Sequence, residues 1–466
     1  MIQLNDIKKI YFIGVGGIGM SALARYFKAK GVAVSGYDKT TTPLTRMLEQ
    51  EGIQVHYEDN VELAPKDVQL VVFTPAIPSN HSELNYYSEH GFEVSKRSEV
   101  LGMISNSSFN ICVGGTHGKT TITTMIAHLL RHSGYGCNAF LGGISSNYQT
   151  NFWSNERNVC VIEADEYDRS FLRLKPNVAV ISAMDPDHLD IYGTERALED
   201  AFIEFGGKVK KGGLLLNKFG LKRGKELKAD HHLTYSLQNE SADIFATNIK
   251  MQNGSYQFDV MMKDSMLENV QLNMGGMHNI ENTVVAIAVA HNLEIDNKKI
   301  KEAVAAFKGV KRRFEYIIRS KEIIYIDDYA HHPEELRALI SGTKSLFNGK
   351  KCTVIFQPHL FSRTRDLADG FAQSLDLADE IILLPIYPAR ELPMEGVSSE
   401  MVLERMNKEN KKVMTKETLL HYIKNKLVPG LNEEFGEVLI TAGAGDIDML
   451  VNPIKEMIEK ELAGKL

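Results

Sequence analysis

Residues Val113–Thr121 read VGGTHGKTT and decide how the middle of the chain folds. The apolar stretch Phe109–Val113 comes before them and predicts a buried strand, while the apolar spacing of Ile122–Leu130 predicts a helix. A strand, a glycine turn, a lysine and hydroxyl residues that open a helix form a pattern that binds phosphate, because backbone N–H groups and the helix N-terminus face the anion. The sequence therefore predicts a nucleoside triphosphate site.

Within this loop, Lys119 is expected to reach the terminal phosphates, and Thr120 or Thr121 is expected to bind Mg²⁺. The strict pattern places another glycine five residues before Gly118, where this chain has Val113, so the loop is a shortened variant. A solvent-exposed turn rich in Gly and Thr is the simpler alternative, which the strand-to-helix context disfavours. The residues expected at the phosphates are Gly115, Thr116, His117, Gly118, Lys119, Thr120 and Thr121.

A second glycine loop lies near the start of the chain. Ile10–Ile13 predicts a strand, and the run Gly14–Ser21 (GVGGIGMS) leads from it into the helical pattern Ala22–Ala29. The next predicted strand, Val32–Asp38, ends in an acid 19 residues beyond Gly19, which is the spacing of a dinucleotide fold with the acid on a ribose hydroxyl. Taken alone, this loop favours NAD. Beside a triphosphate loop, it also fits a nucleotide-linked substrate, with ATP at the other site.

Acidic residues follow two further predicted strands. Val159–Ile162 is followed by Glu163, Asp165 and Glu166, and Val178–Ser182 by Asp185, Asp187, His188 and Asp190. Ligands of open α/β sheets bind at the carboxyl ends of the strands, so both groups are expected near the phosphate loop. Glu163 with Thr120 fits a Mg²⁺ site, and His188 is expected at a second ion or at a phosphate. For Asp165 and Asp190, helix capping is an equal alternative.

Composition excludes several classes of protein. The chain has 466 residues, of which 43% are hydrophobic and 24% charged, as in globular proteins, and the net charge of −7 argues against nucleic acid or an anionic membrane as partner. The apolar run in the opening stretch Met1–Gly19 is too short to span a membrane, and the stretch has no cleavable signal pattern. The four cysteines lie far apart in sequence, so we expect reduced thiols and a cytoplasmic protein.

The alternation of apolar runs and helical patterns predicts parallel sheets covered by helices, and therefore an α/β fold. The length suggests about three domains. We place their boundaries in the polar stretch Ser105–Ser108 and near Lys308–Arg312, which gives domains of residues 1–106, 107–310 and 311–466. Residues 207–276 have a different pattern and predict an antiparallel extension of the second domain.

In combination, the motifs resemble those of the Mur ligases, the ATP-dependent enzymes that form amide bonds in bacterial cell-wall precursors. The similar segments are Gly14–Ser21, Gly115–Thr121, Glu163–Leu172, Asp187–Tyr192, His278–Asn282, Gly309–Glu315, Asp327–Pro333, Phe356–Thr364 and Tyr387–Val397. The resemblance implies a Rossmann-like first domain, a central domain like a P-loop ATPase and a Rossmann-like third domain. It also implies that the first loop binds the diphosphate of a UDP-sugar, without NAD, through Gly16, Gly17, Ile18, Gly19, Met20, Ser21 and Asp38.

The resemblance also implies roles for single residues. ATP is expected at the second glycine loop and at His278, Asn279, Asn282 and Arg313, and Mg²⁺ at Thr120, Glu163 and His188. The residues expected to act in catalysis are Lys119, His188, Arg313, Asp328 and His331. Arg363 and Arg390 are expected at the amino-acid carboxylate, because a guanidinium binds carboxylates with two parallel hydrogen bonds.

Within the family, the chain is most similar to the branch that joins L-alanine to UDP-N-acetylmuramate. The alternative is the branch that attaches a preformed tripeptide to the same UDP-sugar during recycling, but the basic insertion expected of it between Glu163 and His188 is absent. Two positions depart from the wider family. Residues 194–207 contain no lysine that could be carbamylated, and Leu360 stands where a basic residue is expected. A monomer and a homodimer both remain open.

Overall fold

The computed structural model describes residues 3–186, 189–252, 254–263, 265–389, 391–431 and 434–464. They form two compact units. The first contains the chain up to Thr247 together with Phe258–Val270 and Glu281–Phe307, and the second contains Asn248–Gln257, Gln271–Ile280 and the chain from Lys308 onward.

The first sheet is wholly parallel, with the strand order β3-β2-β1-β4-β5. Because the strand order reverses at β1, a crevice opens beyond the carboxyl end of this strand, where ligands of doubly wound sheets bind. Its elements are β1 (Lys9–Ile13), α1 (Ile18–Ala29), β2 (Ala33–Tyr37), α2 (Pro43–Gln50), β3 (Gln54–His56), β4 (Leu70–Phe73), α3 (Ser82–Glu89), β5 (Val94–Lys96) and α4 (Arg97–Ser107).

The second sheet has ten strands in the order β15-β14-β13-β12-β11-β10-β6-β9-β7-β8. Its elements are β6 (Phe109–Gly114), α5 (Lys119–His132), β7 (Asn138–Ser145), β8 (Thr150–Trp153), β9 (Val159–Glu163), β10 (Val178–Ile181), α6 (Leu189–Tyr192), α7 (Glu195–Gly206), β11 (Leu214–Lys218), β12 (His231–Ser236), β13 (Ile244–Gln252), β14 (Ser255–Met262) and β15 (Ser265–Leu272), followed by α8 (Met277–Asn292) and α9 (Asn297–Ala306).

The expected antiparallel extension over residues 207–276 is wrong for its first strands. β11 pairs in parallel with β10 and with β12, and β12 pairs in parallel with β13. Parallel strands are usually joined by a helix, whereas the connection from β11 to β12 contains only the short 3₁₀ turn Gly224–Glu226. The sequence therefore lacked the helical pattern by which a parallel crossover is recognised.

The third sheet has the order β16-β17-β21-β18-β19-β20, in which only the β16–β17 pair is antiparallel. Its elements are β16 (Glu315–Arg319), β17 (Ile323–Asp328), α10 (Pro333–Leu346), β18 (Lys351–Phe356), α11 (Phe361–Asp366), α12 (Ala368–Leu375), β19 (Glu380–Leu383), α13 (Ser399–Glu404), β20 (Lys411–Val413), α14 (Lys416–Tyr422), β21 (Glu437–Ala442) and α15 (Val451–Gly464). His332 and Pro333 begin α10 as cap and first residue, a position that suits proline because its missing N–H is not needed there.

The buried strands explain why the elements assemble in this way. β10 is apolar and buried on both faces, and so is β6 apart from the exposed Phe109 and the buried polar Asn110, as expected for central strands of a parallel sheet that helices cover. All four cysteines are free thiols, as the sequence predicted, and all four are buried. No helix in the described part of the chain is both long and apolar enough to cross a membrane.

Candidate functional site: a phosphate loop with acidic neighbours

The loop between β6 and α5 has the geometry of a phosphate site. β6 ends at Gly114 and α5, a helix of 14 residues, begins at Lys119. Gly118 precedes the helix with φ at +81°, a left-handed conformation that a residue with a β-carbon adopts only with strain. The unpaired N–H groups of the first helical turn therefore lie beside the loop and can bind an anion.

Strand β10 and the residues after it fix the loop. Ser182 donates its hydroxyl to the carbonyl of His117, and Thr116 N–H donates to Ala183 O over 3.2 Å. The hydroxyl of Thr116 in turn accepts from Asp185 N–H at 3.1 Å. These bonds hold the backbone of the loop in one shape before any ligand binds, which lowers the entropic cost of binding.

Lys119 lies across the loop and contacts Glu166, an acid for which the sequence predicts no role. Its ammonium donates to Gly115 O over 2.8 Å and to Glu166 Oε1 over 2.7 Å. Glu166 is fully buried, and its other carboxylate oxygen has no hydrogen-bond partner within the described structure. Burial raises the pKa of Glu166, against the lowering effect of the Lys119 charge.

Thr120 and Glu163 meet at the start of α5, as the sequence predicted. The hydroxyl of Thr120 donates to Glu163 Oε1 over 2.9 Å, and the N–H of Gly142 in β7 donates to Glu163 Oε2, also over 2.9 Å. A β-carbon on Gly142 would overlap the Glu163 carboxylate, so a larger residue there would have to displace that side chain. Burial raises the pKa of Glu163, and the Lys119 charge opposes the increase.

Of the other residues expected to bind the nucleotide, only some lie beside the phosphate loop in the described structure. Asn282, in the first turns of α8, places its amide oxygen 3.2 Å from the point where a β-carbon on Gly118 would lie. Thr121 is buried, and His117 is exposed, with its Nε2 3.8 Å from Asp185. His278 and Asn279 occupy the same helix, where the Asn279 amide donates to Gly275 O over 2.6 Å.

The first glycine loop connects β1 to α1, as expected. Asp38 accepts from the backbone N–H of Gly16 over 2.8 Å and from Thr40 N–H over 3.1 Å, so its carboxylate supports the loop itself. Arg97, for which the sequence predicts no role, packs against the Cα of Gly19, so that a β-carbon there would overlap its guanidinium. Arg97 also pairs with Asp165 over 3.4 Å. Gly17, Ile18, Met20 and Ser21 form the loop end and first turn of α1.

In the second unit, four of the predicted residues surround one end of the third sheet. Asp328 accepts from the N–H groups of Phe314 (2.6 Å) and Ala330 (2.7 Å) at the carboxyl end of β17. His331 lies three residues further along the chain. Burial lowers its pKa, and the positive charges of Arg363 and Arg313 lower it further. Arg313 is exposed and lies over the Tyr329 ring, 5.4 Å from its centre.

The neighbouring Arg312 has a structural role, because it pairs with the buried Asp327 over 3.3 Å. This leaves Arg313 as the member of the arginine pair that a ligand can reach.

Leu360, at the position of the missing basic residue, has φ at +71°, which is unusual for a residue with a branched side chain.

Two predicted site residues, His188 and Arg390, lie outside the described residues, as does Asp187. Among the residues that the structure describes, no group of three or more His, Cys, Asp or Glu side chains forms a metal site. This finding is compatible with Mg²⁺, which commonly binds one or two protein groups together with substrate phosphates.

Models of one protein family match most of the chain in three consecutive segments. The model described as the Mur ligase family catalytic domain matches residues 9–108, the Mur ligase middle domain matches residues 113–290, and the Mur ligase glutamate ligase domain matches residues 312–445. The resemblance drawn from the sequence motifs is therefore confirmed.

Individual relatives are similar along their whole length. A UDP-N-acetylmuramate–L-alanine ligase from Flavobacterium johnsoniae is 46% identical over 465 residues, which cover 99% of this chain and 100% of the relative. The crystal structure of the UDP-N-acetylmuramate–alanine ligase from Thermotoga maritima superposes with a TM-score of 0.79 at 27% identity, covering 98% of this chain and 99% of the other.

A murein peptide ligase from Psychrobacter arcticus superposes with a TM-score of 0.65 at 23% identity, covering 98% of both chains, and shows the common fold alone. Together, these similarities confirm the predicted α/β fold with three domains.

Proposed function

The chain belongs to the Mur ligase family, and we propose that it joins L-alanine to the carboxylate of UDP-N-acetylmuramate with hydrolysis of ATP to ADP and phosphate. The observation that supports this function best is the grouping of Lys119, Thr120 and Glu163 around the N-terminus of α5. The full-length similarity to ligases named for this reaction supports the choice of L-alanine.

We assign the three substrates to three domains, residues 1–106, 107–310 and 311–466. In the first domain, the loop from Gly16 to Ser21 faces the diphosphate of the UDP-sugar with the N-terminus of α1, and Asp38 supports the loop. In the central domain, the backbone of Gly115–Thr121 surrounds the phosphates of ATP, and the Lys119 ammonium neutralises their charge. Asn282, beside Gly118, and His278 and Asn279 contact the nucleotide.

The residues at the start of α5 fit a magnesium ion. Glu163 offers a carboxylate whose two oxygens accept from a hydroxyl and from one N–H, and the Thr120 hydroxyl beside it is a second oxygen ligand. His188 is assigned to the same metal region from the sequence alone. When bound, Mg²⁺ neutralises phosphate charge that would otherwise repel the attacking carboxylate.

The third domain provides the groups for the amino acid and for closure. Arg313 reaches ATP, Asp328 and His331 contact the reacting ends, and Arg363 with Arg390 binds the carboxylate of L-alanine. Closure of this domain excludes water from the acyl phosphate that forms when the muramate carboxylate takes the γ-phosphoryl group. The alanine amine then attacks the acyl carbon, and phosphate leaves.

Phosphate release from ATP in the presence of Mg²⁺ and UDP-N-acetylmuramate tests the function. We expect release that depends on L-alanine, and a fall of at least about 100-fold in Lys119→Met, because one preorganised charge at a phosphoryl group contributes about this much. The exposed Lys211→Met variant should retain the rate of the unchanged protein.

Release only with the tripeptide L-Ala-γ-D-Glu-meso-diaminopimelate would assign the chain to the recycling branch. Release with neither amine substrate would contradict both assignments.

A further inference from the structure

Helix α1, which begins at the UDP-sugar loop, is packed against two sheets. Its inner face covers the first sheet, and Tyr26 on another face contacts Phe140 of β7 and Phe152 of β8, with ring centres 5.3 and 6.1 Å apart. One continuous hydrophobic core contains Met20, Leu23 and Phe27 of α1 together with these two phenylalanines. The hairpin formed by β7 and β8 therefore supports the helix from the side of the central domain.

A single buried side chain of this hairpin reaches the first turn of α1. The amide of Asn151 donates to the carbonyl of Ile18 over 2.6 Å and to the hydroxyl of Ser21 over 3.0 Å. Its oxygen accepts from the guanidinium of Arg25, which also forms a bidentate pair with Glu51 at 2.7 and 2.8 Å. Asn151 is fully buried, so water cannot replace these bonds when they are lost.

The same hairpin also contacts the proposed Mg²⁺ site, through its other strand, β7. Gly142 of β7 donates its N–H to Glu163, the carboxylate assigned to Mg²⁺. A two-stranded element therefore contacts the diphosphate loop through Asn151 and the metal carboxylate through Gly142. The hairpin and the core beneath it therefore connect the two sites.

On the basis of the proposed function, we propose that Asn151 is a positioning residue for the UDP-sugar. It holds Ile18 and Ser21, and thereby the N–H groups of the first turn of α1, in the orientation that binds the diphosphate. Asparagine suits this position because one side chain donates two hydrogen bonds to the turn while it accepts one from Arg25. The residue itself is buried behind the helix and acts only through the loop.

Calorimetric binding of UDP-N-acetylmuramate and, separately, of a non-hydrolysable ATP analogue tests this role in the full chain. In Asn151→Ala, we expect the UDP-sugar to bind about three- to ten-fold more weakly, which is the usual contribution of one or two buried hydrogen bonds. The affinity for the ATP analogue should stay unchanged, and KM should rise for the UDP-sugar without a matching fall in kcat.

Two further variants distinguish a positioning role of Asn151 from a general loss of structure in the hairpin. Asn151→Asp has the same shape and still accepts from Arg25, but it cannot donate to Ile18, so it should weaken UDP-sugar binding as the alanine variant does. Asn147→Ala removes another hairpin asparagine, whose amide donates to Ala306 O over 2.8 Å, and should leave UDP-sugar binding unchanged. The fluorescence of Trp153, the only tryptophan, reports whether the hairpin remains packed.

Equal UDP-sugar affinities in the unchanged protein and both Asn151 variants would overturn the positioning role and leave the ligase function intact. A parallel loss of both ligand affinities, with altered Trp153 fluorescence, would also overturn it, because Asn151 would then support only the fold. If the unchanged protein did not bind the UDP-sugar, the proposed function would fail and this role with it.

Discussion

Lys119 is the residue at which the phosphate loop and the acidic segment after β9 meet. Its ammonium group has three hydrogens, and Gly115 O and Glu166 accept two of them. A phosphate that binds in the loop therefore competes with a buried carboxylate for the same positive charge. Because the second oxygen of Glu166 has no hydrogen-bond partner among the described residues, this carboxylate is costly to keep ionised once Lys119 turns toward a ligand.

Replacing Glu166 by glutamine tests this competition. The variant keeps the shape of the side chain but removes its charge, so we expect a non-hydrolysable ATP analogue to bind about two- to ten-fold more tightly, an effect of about 1 kcal/mol. Calorimetric titration of the analogue measures the affinity. Glu156→Gln, which removes an exposed charge from the loop between β8 and β9, serves as the control and should bind like the unchanged protein.

Weaker binding by Glu166→Gln than by the control would contradict competition. It would show instead that the carboxylate orients Lys119 toward the phosphates.

Strand β7 positions the carboxylate of Glu163 through its backbone. The N–H of Gly142 donates to Glu163, and a β-carbon at that position would overlap the carboxylate, so a larger residue there must displace the Glu163 side chain. The backbone of Gly142 has an ordinary negative φ, so a substitution there adds bulk without adding backbone strain.

Gly142→Ala should therefore displace Glu163 from Thr120 and reduce kcat/KM by about 10- to 100-fold, the usual effect of disturbing a group that orients a metal ligand. The rate of phosphate release as a function of Mg²⁺ concentration measures it, and the variant should need more Mg²⁺ for half-maximal rate. Gly342→Ala in α10 adds a methyl group in open space and should leave the rate unchanged. An unaltered Mg²⁺ requirement in Gly142→Ala would show that Glu163 tolerates displacement.

The sequence predicted the elements of the fold better than their contacts. The predicted helix Ile122–Leu130 lies within α5, and the predicted strand Ile10–Ile13 lies within β1, because periodicity and glycine positions are local properties. The motif residues Lys119, Thr120 and Glu163 also converge as expected, since parallel strands end at one edge of the sheet.

Other features could not be predicted because they depend on distant parts of the chain. Glu166 meets Lys119 from 47 residues away, and Asn151 meets Ile18 from 133 residues away. Neither asparagine nor glutamate has a local pattern that reveals its partner. The direction of β12 was missed for a related reason, because its crossover contains no long helix.

The third sheet contains a charge cluster that makes the stability of the chain depend on pH. Glu380, the first residue of β19, is almost fully buried. It accepts from Lys351 of β18 (2.5 Å), Lys412 of β20 (2.6 Å) and Tyr422 of α14 (2.6 Å). Burial opposes ionisation, but these donors outweigh it and lower the pKa of Glu380 to about 2. One carboxylate thus joins three strands and a helix.

A carboxyl group with a lowered pKa stabilises the fold only while it is ionised. In the unfolded chain Glu380 regains its ordinary value of 4.5, so its contribution is complete at neutral pH, declines as the pH falls below about 5, and is lost near pH 2. A lowering of this size corresponds to roughly 3 kcal/mol. Acid should therefore destabilise the second unit through this residue.

Glu380→Gln should lower the unfolding free energy at pH 7 by roughly 3 kcal/mol, because Lys351 and Lys412 lose their buried partner. Between pH 5 and pH 3, the variant should lose less additional stability than the unchanged protein, since it has no proton to take up at this position. Urea unfolding at several pH values measures both effects, and the exposed Glu409→Gln variant near β20 should follow the unchanged protein throughout. Parallel pH profiles for Glu380→Gln and the unchanged protein would show that the cluster tolerates protonation of Glu380, and that the acid sensitivity arises from other carboxylates.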